Sequence, residues 1–246
     1  MNKRVIIGII IAIIVIIVVA LGYMFLNSNK STIENNESIE NLQLNKDKNE
    51  KENQNTTGLD KKILIAYFSL PETNGSAKED STITVNGENL GNTQYVANLI
   101  QGYTGADMFR IEAVKEYNTS DHQALIDDAK EEQNENSRPE IKNKINNFDE
   151  YDTIFIGYPI WWSDLPQILY TFLESYDFTG KNVILFSTNG GSGLSGTVST
   201  IKNKLSSANV NENAFTLNRN NMEDAPKEVE IWLKEINMIG SEYQDE

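Results

Sequence analysis

The chain contains no cysteine. Disulfides, thiolate nucleophiles, iron–sulfur ligation and lipid attachment through an N-terminal cysteine are excluded with it, so any redox chemistry has to come from a bound cofactor. The lack of thiols does not assign a compartment, since an exported domain can simply avoid them. Histidine is nearly absent too. The single one, His122, rules out a His-based metal centre and reads as an exposed position on a helix rather than a catalytic group. Basic residues are scarce: 21 Lys and Arg stand against 36 Asp and Glu, a formal net charge of −15. No basic run is present to follow a phosphate backbone, so no nucleic-acid partner is expected. The carboxylate excess reads as a solvated surface that aids solubility, or as a field that steers a partner.

Charge is also missing from Val5 to Leu26, a run built mainly of Ile and Val. As a helix it would span roughly 30 Å, enough to cross a bilayer. Lys3 and Arg4 precede it and only Lys30 follows closely, which puts the N-terminus in the cytoplasm and the remainder outside. Residues 1–26 are read as a single-pass membrane anchor, and the domain is expected to be extracytoplasmic. The alternative is a signal peptide cleaved near Ala20, Leu21 and Gly22, giving a secreted protein. Residues 27–60 are dominated by Asn, Glu, Lys, Ser and Gln without an aromatic. They cannot bury enough apolar area to offset chain entropy and read as a disordered polar linker. A domain is expected over 61–240, with 241–246 as a tail.

Within that domain short apolar runs alternate with helical periodicity, the signature of strands and helices around a parallel sheet. Strands are expected at 63–68, 108–112, 153–158, 182–186 and 214–217. Val96, Leu99, Ile100 and Tyr103 mark a helix after Asn92. A second, over 120–132, has a thin stripe at Leu125 and Ala129, and its Asp127, Asp128, Glu131 and Glu132 read as a solvated charged face. Leu165, Ile168, Leu169, Phe172, Leu173 and Tyr176 mark a buried helix. Val198, Ile201 and Leu205 mark another, and Val229, Trp232, Leu233 and Ile236 the last. The order predicts an α/β fold, a doubly wound open parallel five-stranded sheet behind the transmembrane helix. Ligands in such sheets bind outside the carboxyl ends of the strands.

Three loops lie there. The first runs from Ser69 to Gly91, Asn92, Thr93 and Gln94 at a helix start, where backbone N–H groups favour phosphate; an ordinary N-cap is the plainer reading. About twenty residues intervene, and their Asn86-Gly87 pair signals a small hairpin. The second reads Gly157, Tyr158, Pro159, Ile160, Trp161, Trp162. One of the adjacent tryptophans should pack on the core while the other offers a flat face to ligand or solvent; Pro159 and Pro166 bracket the loop and fix its shape. The third is Thr188, Asn189, Gly190, Gly191, Ser192, Gly193, glycines that let backbone approach a ligand or simply make a flexible surface loop. Together they describe a flat, phosphorylated cofactor lying across the strand ends. No Lys or Arg cluster is seen near these loops, Arg219 being the nearest isolated cation. A signalling receiver is disfavoured because Ser69, Leu70, Pro71 and Tyr158, Pro159 stand where acidic residues would be needed.

At these residues the chain resembles the flavodoxin family: Tyr67, Phe68, Ser69; Gly91, Asn92, Thr93; Gly157 to Trp162; Phe172, Leu173, Glu174; Gly180, Lys181; and the loop from Thr188 to Gly193. The resemblance spans 62–235 and implies FMN as cofactor. It implies Ser69, Asn92, Thr93 and Gln94 at the phosphate, with Pro159, Ile160, Trp161, Trp162, Thr188, Asn189, Gly190, Gly191 and Gly193 flanking the isoalloxazine. It further implies a flavodoxin-like electron-transfer protein whose partner is a redox protein or a small-molecule electron acceptor. An FMN-dependent NAD(P)H or quinone oxidoreductase and a cofactor-free binding module are the alternatives.

Overall fold

The computed structural model describes residues 62–70, 82–119 and 121–240. The expected anchor, linker and tail lie outside them, as does most of the segment joining Ser69 to the hairpin. Among the described residues no helix is long and apolar enough to cross a membrane.

The elements are β1 (Ile63–Tyr67), β2 (Thr82–Val85), β3 (Glu88–Gly91), α1 (Asn92–Thr104), β4 (Asp107–Arg110), α2 (His122–Glu135), β5 (Thr153–Pro159), α3 (Gln167–Ser175), β6 (Asn182–Asn189), α4 (Thr197–Lys204), β7 (Asn209–Val210), β8 (Phe215–Asn218) and α5 (Ala225–Glu235). The main sheet runs β4-β1-β5-β6, and both β7 and β8 pair with β6. All its pairings are parallel. A parallel sheet needs crossovers that place helices on its faces, so its middle strands lose contact with water on both sides. β5 and β6 accordingly read as near-continuous apolar runs, buried along almost their whole length.

The expected five strands become six, because the last position is split. β7 adds to the start of β6 at Asn182 and Val183, and β8 to its end from Phe186 to Asn189. Between them the Asn211 side chain accepts from the Asn213 N–H at 2.9 Å, a local turn that takes the backbone out of the ladder. The hairpin forms where Asn-Gly signals it: β2 pairs antiparallel with β3, and Asn86 and Gly87 both adopt positive φ, as a two-residue hairpin turn requires.

Two layers cover the sheet. On one face Ile154, Ile156 and Tyr158 of β5 join Ile168, Leu169 and Phe172 of α3 and Ile201 of α4 in one buried cluster. On the other, Trp232 of α5 meets Phe155 and Phe215 edge-on or tilted. Gly157 lies opposite Phe186 in the ladder, and a β-carbon there would come within 2.1 Å of that ring. Only glycine lets the two central strands pair at this point, which is also where β5 turns toward the loop Pro159 opens.

Candidate functional site

A cavity of about 320 Å³ opens at the carboxyl ends of the central strands. Pro159, Ile160, Trp161 and Trp162 wall it on the β5 side, and Thr188, Asn189 and Gly190 on the β6 side. Asn92 enters from the start of α1. A recess of about 20 Å³ shares Asn92, Pro159, Trp161 and Thr188 with it and leads to Ser69, Leu70 and Thr93. All three loops therefore meet at one place.

The recess end is built for an anion. α1 begins after Gly91, which supplies no side-chain cap, so the first N–H groups of the helix have no intrahelical acceptor. Ser69 stands in: its buried hydroxyl accepts from the Gln94 N–H at 3.3 Å. A β-carbon at residue 91 would fall 2.1 Å from that hydroxyl, so glycine is what admits Ser69. The Thr93 and Thr188 hydroxyls share a hydrogen bond of 2.7 Å that ties the first loop to the third. Asn92 Oδ1 is buried with no hydrogen-bond partner in the protein, which a bound group with an N–H or O–H would satisfy. The positive end of the α1 dipole, by contrast, favours negative charge beside Ser69 and Thr93.

The opposite end is aromatic. Trp161 is half-buried and edge-on to Phe68 at 5.3 Å and to Tyr117 at 5.7 Å between ring centroids. Trp162 is 48% exposed. Trp161 and Asp164 exchange two N–H···O bonds of 3.0 Å, closing a tight turn in which Trp162 and Ser163 both have positive φ. The turn throws Trp162 onto α2: its indole N–H donates to the Ile126 carbonyl at 3.1 Å, and the Lys130 ammonium lies 5.0 Å from its ring. Tyr117 in turn donates to Glu132 at 3.1 Å. Burial pushes both this phenol and this carboxyl above their ordinary values, and the shared hydrogen bond partly offsets the shift at Glu132.

The third loop enters the cavity only through its first residues. Asn189 accepts from the Gly191 N–H at 2.7 Å and donates to Thr216 at 2.9 Å, so the Gly191 amide is engaged within the loop. Gly191 and Gly193 lie beyond the cavity lining, and Gln94 reaches the site through its backbone N–H alone.

Four features differ from the sequence reading. His122, the first residue of α2, is half-buried and lines the cavity rather than standing on an open face, together with Leu125, Ile126 and Ala129. Glu132 is buried, not solvated. Arg219, expected only as an isolated cation, also lines the cavity. Finally, a basic cluster does exist: Arg110, Lys115 and Lys142 line one cleft beside Ser69. The thin Leu125 and Ala129 stripe was the available signal for α2, since a helix covering a cavity needs fewer apolar residues than one packed on the core. Among the described residues no group of His, Asp and Glu could hold a metal ion.

The sequence matches the family model described as flavodoxin over residues 87–236. A structure described as that of a candidate flavoprotein from Bacteroides eggerthii is similar at 30% identity, covering 72% of this chain and 99% of that one with a TM-score of 0.57. A counterpart from Bacteroides uniformis, also at 30% identity, covers 68% of this chain and 98% of its own with a TM-score of 0.50. No curated protein matches the chain.

Proposed function

From the premise that the chain belongs to the flavodoxin family, we propose that it is an FMN-binding electron-transfer protein tethered to the outer face of the cytoplasmic membrane. The observation that carries this reading is the shape and chemistry of a single site: an anion-seeking recess at Ser69, Asn92 and Thr93 that opens into a cavity walled by Trp161 and Trp162. A planar ring with a phosphate at the end of a polar chain fits that sequence of surfaces. Ser69, Thr93 and the first N–H groups of α1 hold the phosphate, while Pro159 to Trp162 and Thr188 to Gly190 flank the ring. The free Asn92 carbonyl takes a hydroxyl from the chain between them.

FMN, when bound, supplies the capacity to take up and release electrons. The protein's part is to bind, orient and shield it. Pro159 and Trp161 exclude water from one side, and α2 covers the other through Leu125 and Ala129. The tether is supported by the uncharged run from Val5 to Leu26 and its flanking Lys3 and Arg4. Electrons then pass to a redox protein or a small-molecule acceptor outside the membrane.

A second reading, an FMN-dependent NAD(P)H or quinone oxidoreductase, is favoured by the polar groups of His122 and Arg219 on the cavity wall, which suit a polar second substrate. The visible spectrum of the purified full-length chain in detergent tests the main reading. The expected result is a flavin spectrum, or its appearance on adding FMN. A colourless chain that takes up no FMN would leave the cofactor-free binding module. Anaerobic bleaching by NADH or NADPH, or turnover with a quinone, would favour the oxidoreductase. Cleavage of the domain by protease added to intact cells is expected for an outward tether, and resistance until lysis would reverse the topology.

A further inference from the structure

Beside the recess, and sharing Ser69 and Leu70 with it, lies a cleft of about 290 Å³. We propose that this cleft is a second anion site, one that takes a phosphate group distinct from that of the cofactor. The chain is poor in cations, yet three of them, Arg110, Lys115 and Lys142, line this one cleft.

The cleft is assembled from distant pieces. Arg110 ends β4, next to β1 in the sheet, and its guanidinium donates through Nη2 to the Ser69 carbonyl at 3.1 Å. That bond orients the fork toward the loop. The Nε–H of the same guanidinium is buried with no hydrogen-bond partner in the protein. A buried charged donor left without an acceptor is costly, and a phosphate oxygen is the acceptor that suits a guanidinium fork. Lys142 is brought alongside by a short antiparallel ladder: its N–H donates to the Glu112 carbonyl, and the Val114 N–H to the Glu140 carbonyl, both at 2.8 Å. Lys115 makes a long ion pair of 3.7 Å with Asp128 and also acts on the Glu132 carboxyl. Glu112 and Glu116 also line the cleft, and Asp128 engages Lys115, so Arg110 and Lys142 are the cations that meet an anion there. The two carboxylates disfavour a diffuse polyanion, so a compact anion is held on the Arg110 side, where the Nε–H lacks an acceptor.

Phe68 and Tyr117 line the cleft, Trp161 lines the aromatic cavity, and the three rings pack edge-on between the two. A phosphate seated here lies next to the cofactor site without occupying it. The phosphate arrives free or as the ribose 2′-monoester of a nucleotide, and the experiment separates the two.

The test is calorimetric titration of the full-length chain in detergent with inorganic phosphate, NADPH and NADH, comparing wild type, Arg110→Gln and Lys142→Gln, after FMN and riboflavin affinities have been measured for each. Wild type is expected to bind inorganic phosphate saturably, and each variant to bind it about tenfold more weakly, the loss of roughly one charge-assisted hydrogen bond. A preference for NADPH over NADH that both variants lose assigns the nucleotide as the source; equal weak binding of the two assigns free phosphate. The proposal is overturned if wild type shows no phosphate binding, or if neither variant weakens it. It is also overturned if Arg110→Gln weakens FMN but not riboflavin, for then the cleft is only the rear of the cofactor's own phosphate seat. A chain that takes up no FMN but still binds phosphate through Arg110 would sink the FMN reading and leave this one standing.

Discussion

A methyl group at position 91 would sit 2.1 Å from the Ser69 hydroxyl. Residue 91 has φ −62, a value any residue adopts, so the conflict is with Ser69 alone, and a hydroxyl can rotate away. Gly91→Ala is therefore expected to change unfolding free energy by less than about 1 kcal/mol while expelling Ser69 from the Gln94 N–H and weakening FMN binding about tenfold, the worth of one hydrogen bond at an anion site. Urea denaturation and flavin-fluorescence titration of the same variant measure both. Tyr117 shows the opposite balance. Its phenol is a donor to the buried Glu132 carboxyl, so Tyr117→Phe should cost about 1–3 kcal/mol at pH 7. Burial raises the Glu132 carboxyl above 4.5. With a raised folded value the native state holds the proton longer than the unfolded chain, so this group favours folding at low pH and loses that contribution as pH rises through its folded value. Below that value Glu132 carries its own proton, and the penalty of the substitution should shrink. Denaturation curves of wild type and variant at pH 4 and pH 7 check the sign; an equal loss at both would mean the phenol does not serve the carboxylate.

At the scale of elements, the turn after β5 holds the most conspicuous backbone. Trp162 and Ser163 both sit at positive φ without glycine, at 50° and 59°, a conformation that costs an L-residue roughly 1–2 kcal/mol. Ser163→Gly removes that strain at the second position but gives back much of it as unfolded-chain entropy. The expected net gain in stability is about 0.5 kcal/mol, read as a raised denaturation midpoint. A loss would mean that the Ser163 side chain supports the turn in another way. The neighbouring elements separate what a sequence can announce from what it cannot. Asn86-Gly87 announced its hairpin because the turn chemistry is local, and β5 and β6 announced themselves because strands buried on both faces read as unbroken apolar runs. The split of the last strand position rests on a side-chain turn at Asn211, invisible to periodicity. Ser69, Asn92, Trp161 and Thr188 were legible as residues that meet at the strand ends because they follow strands in an alternating order. His122, Leu125 and Arg219 were not, because they come from a helix face and a distant strand end that only packing brings over the cavity. The approach of Lys142 to the Arg110 cleft was hidden for the same reason, since a backbone ladder from Lys142 to Glu112 brings it there from a distant segment.

Over the whole molecule the charge is unevenly carried. Residues 1–61 hold seven basic and seven acidic side chains, so the net −15 falls entirely on residues 62–246. A cofactor that gains electrons inside such a domain gains them against a negative field, and Arg110, Lys142 and Arg219 near the site oppose that field only locally. At roughly 20 Å and a water-like dielectric each carboxylate acts with about 0.2 kcal/mol before screening. With a Debye length of about 10 Å at 0.1 M salt and about 3 Å at 1 M, the summed effect falls from several tenths of a kcal/mol to almost nothing. The flavin potentials of the FMN-loaded chain should therefore lie below those of free FMN and rise by on the order of 20 mV between those two salt concentrations. Spectroelectrochemical titration at both concentrations measures the shift. Potentials that start at or above those of free FMN, or that fall with salt, would show that the nearby cations and the walls of the cavity outweigh the acidic surface in setting how readily the site accepts an electron.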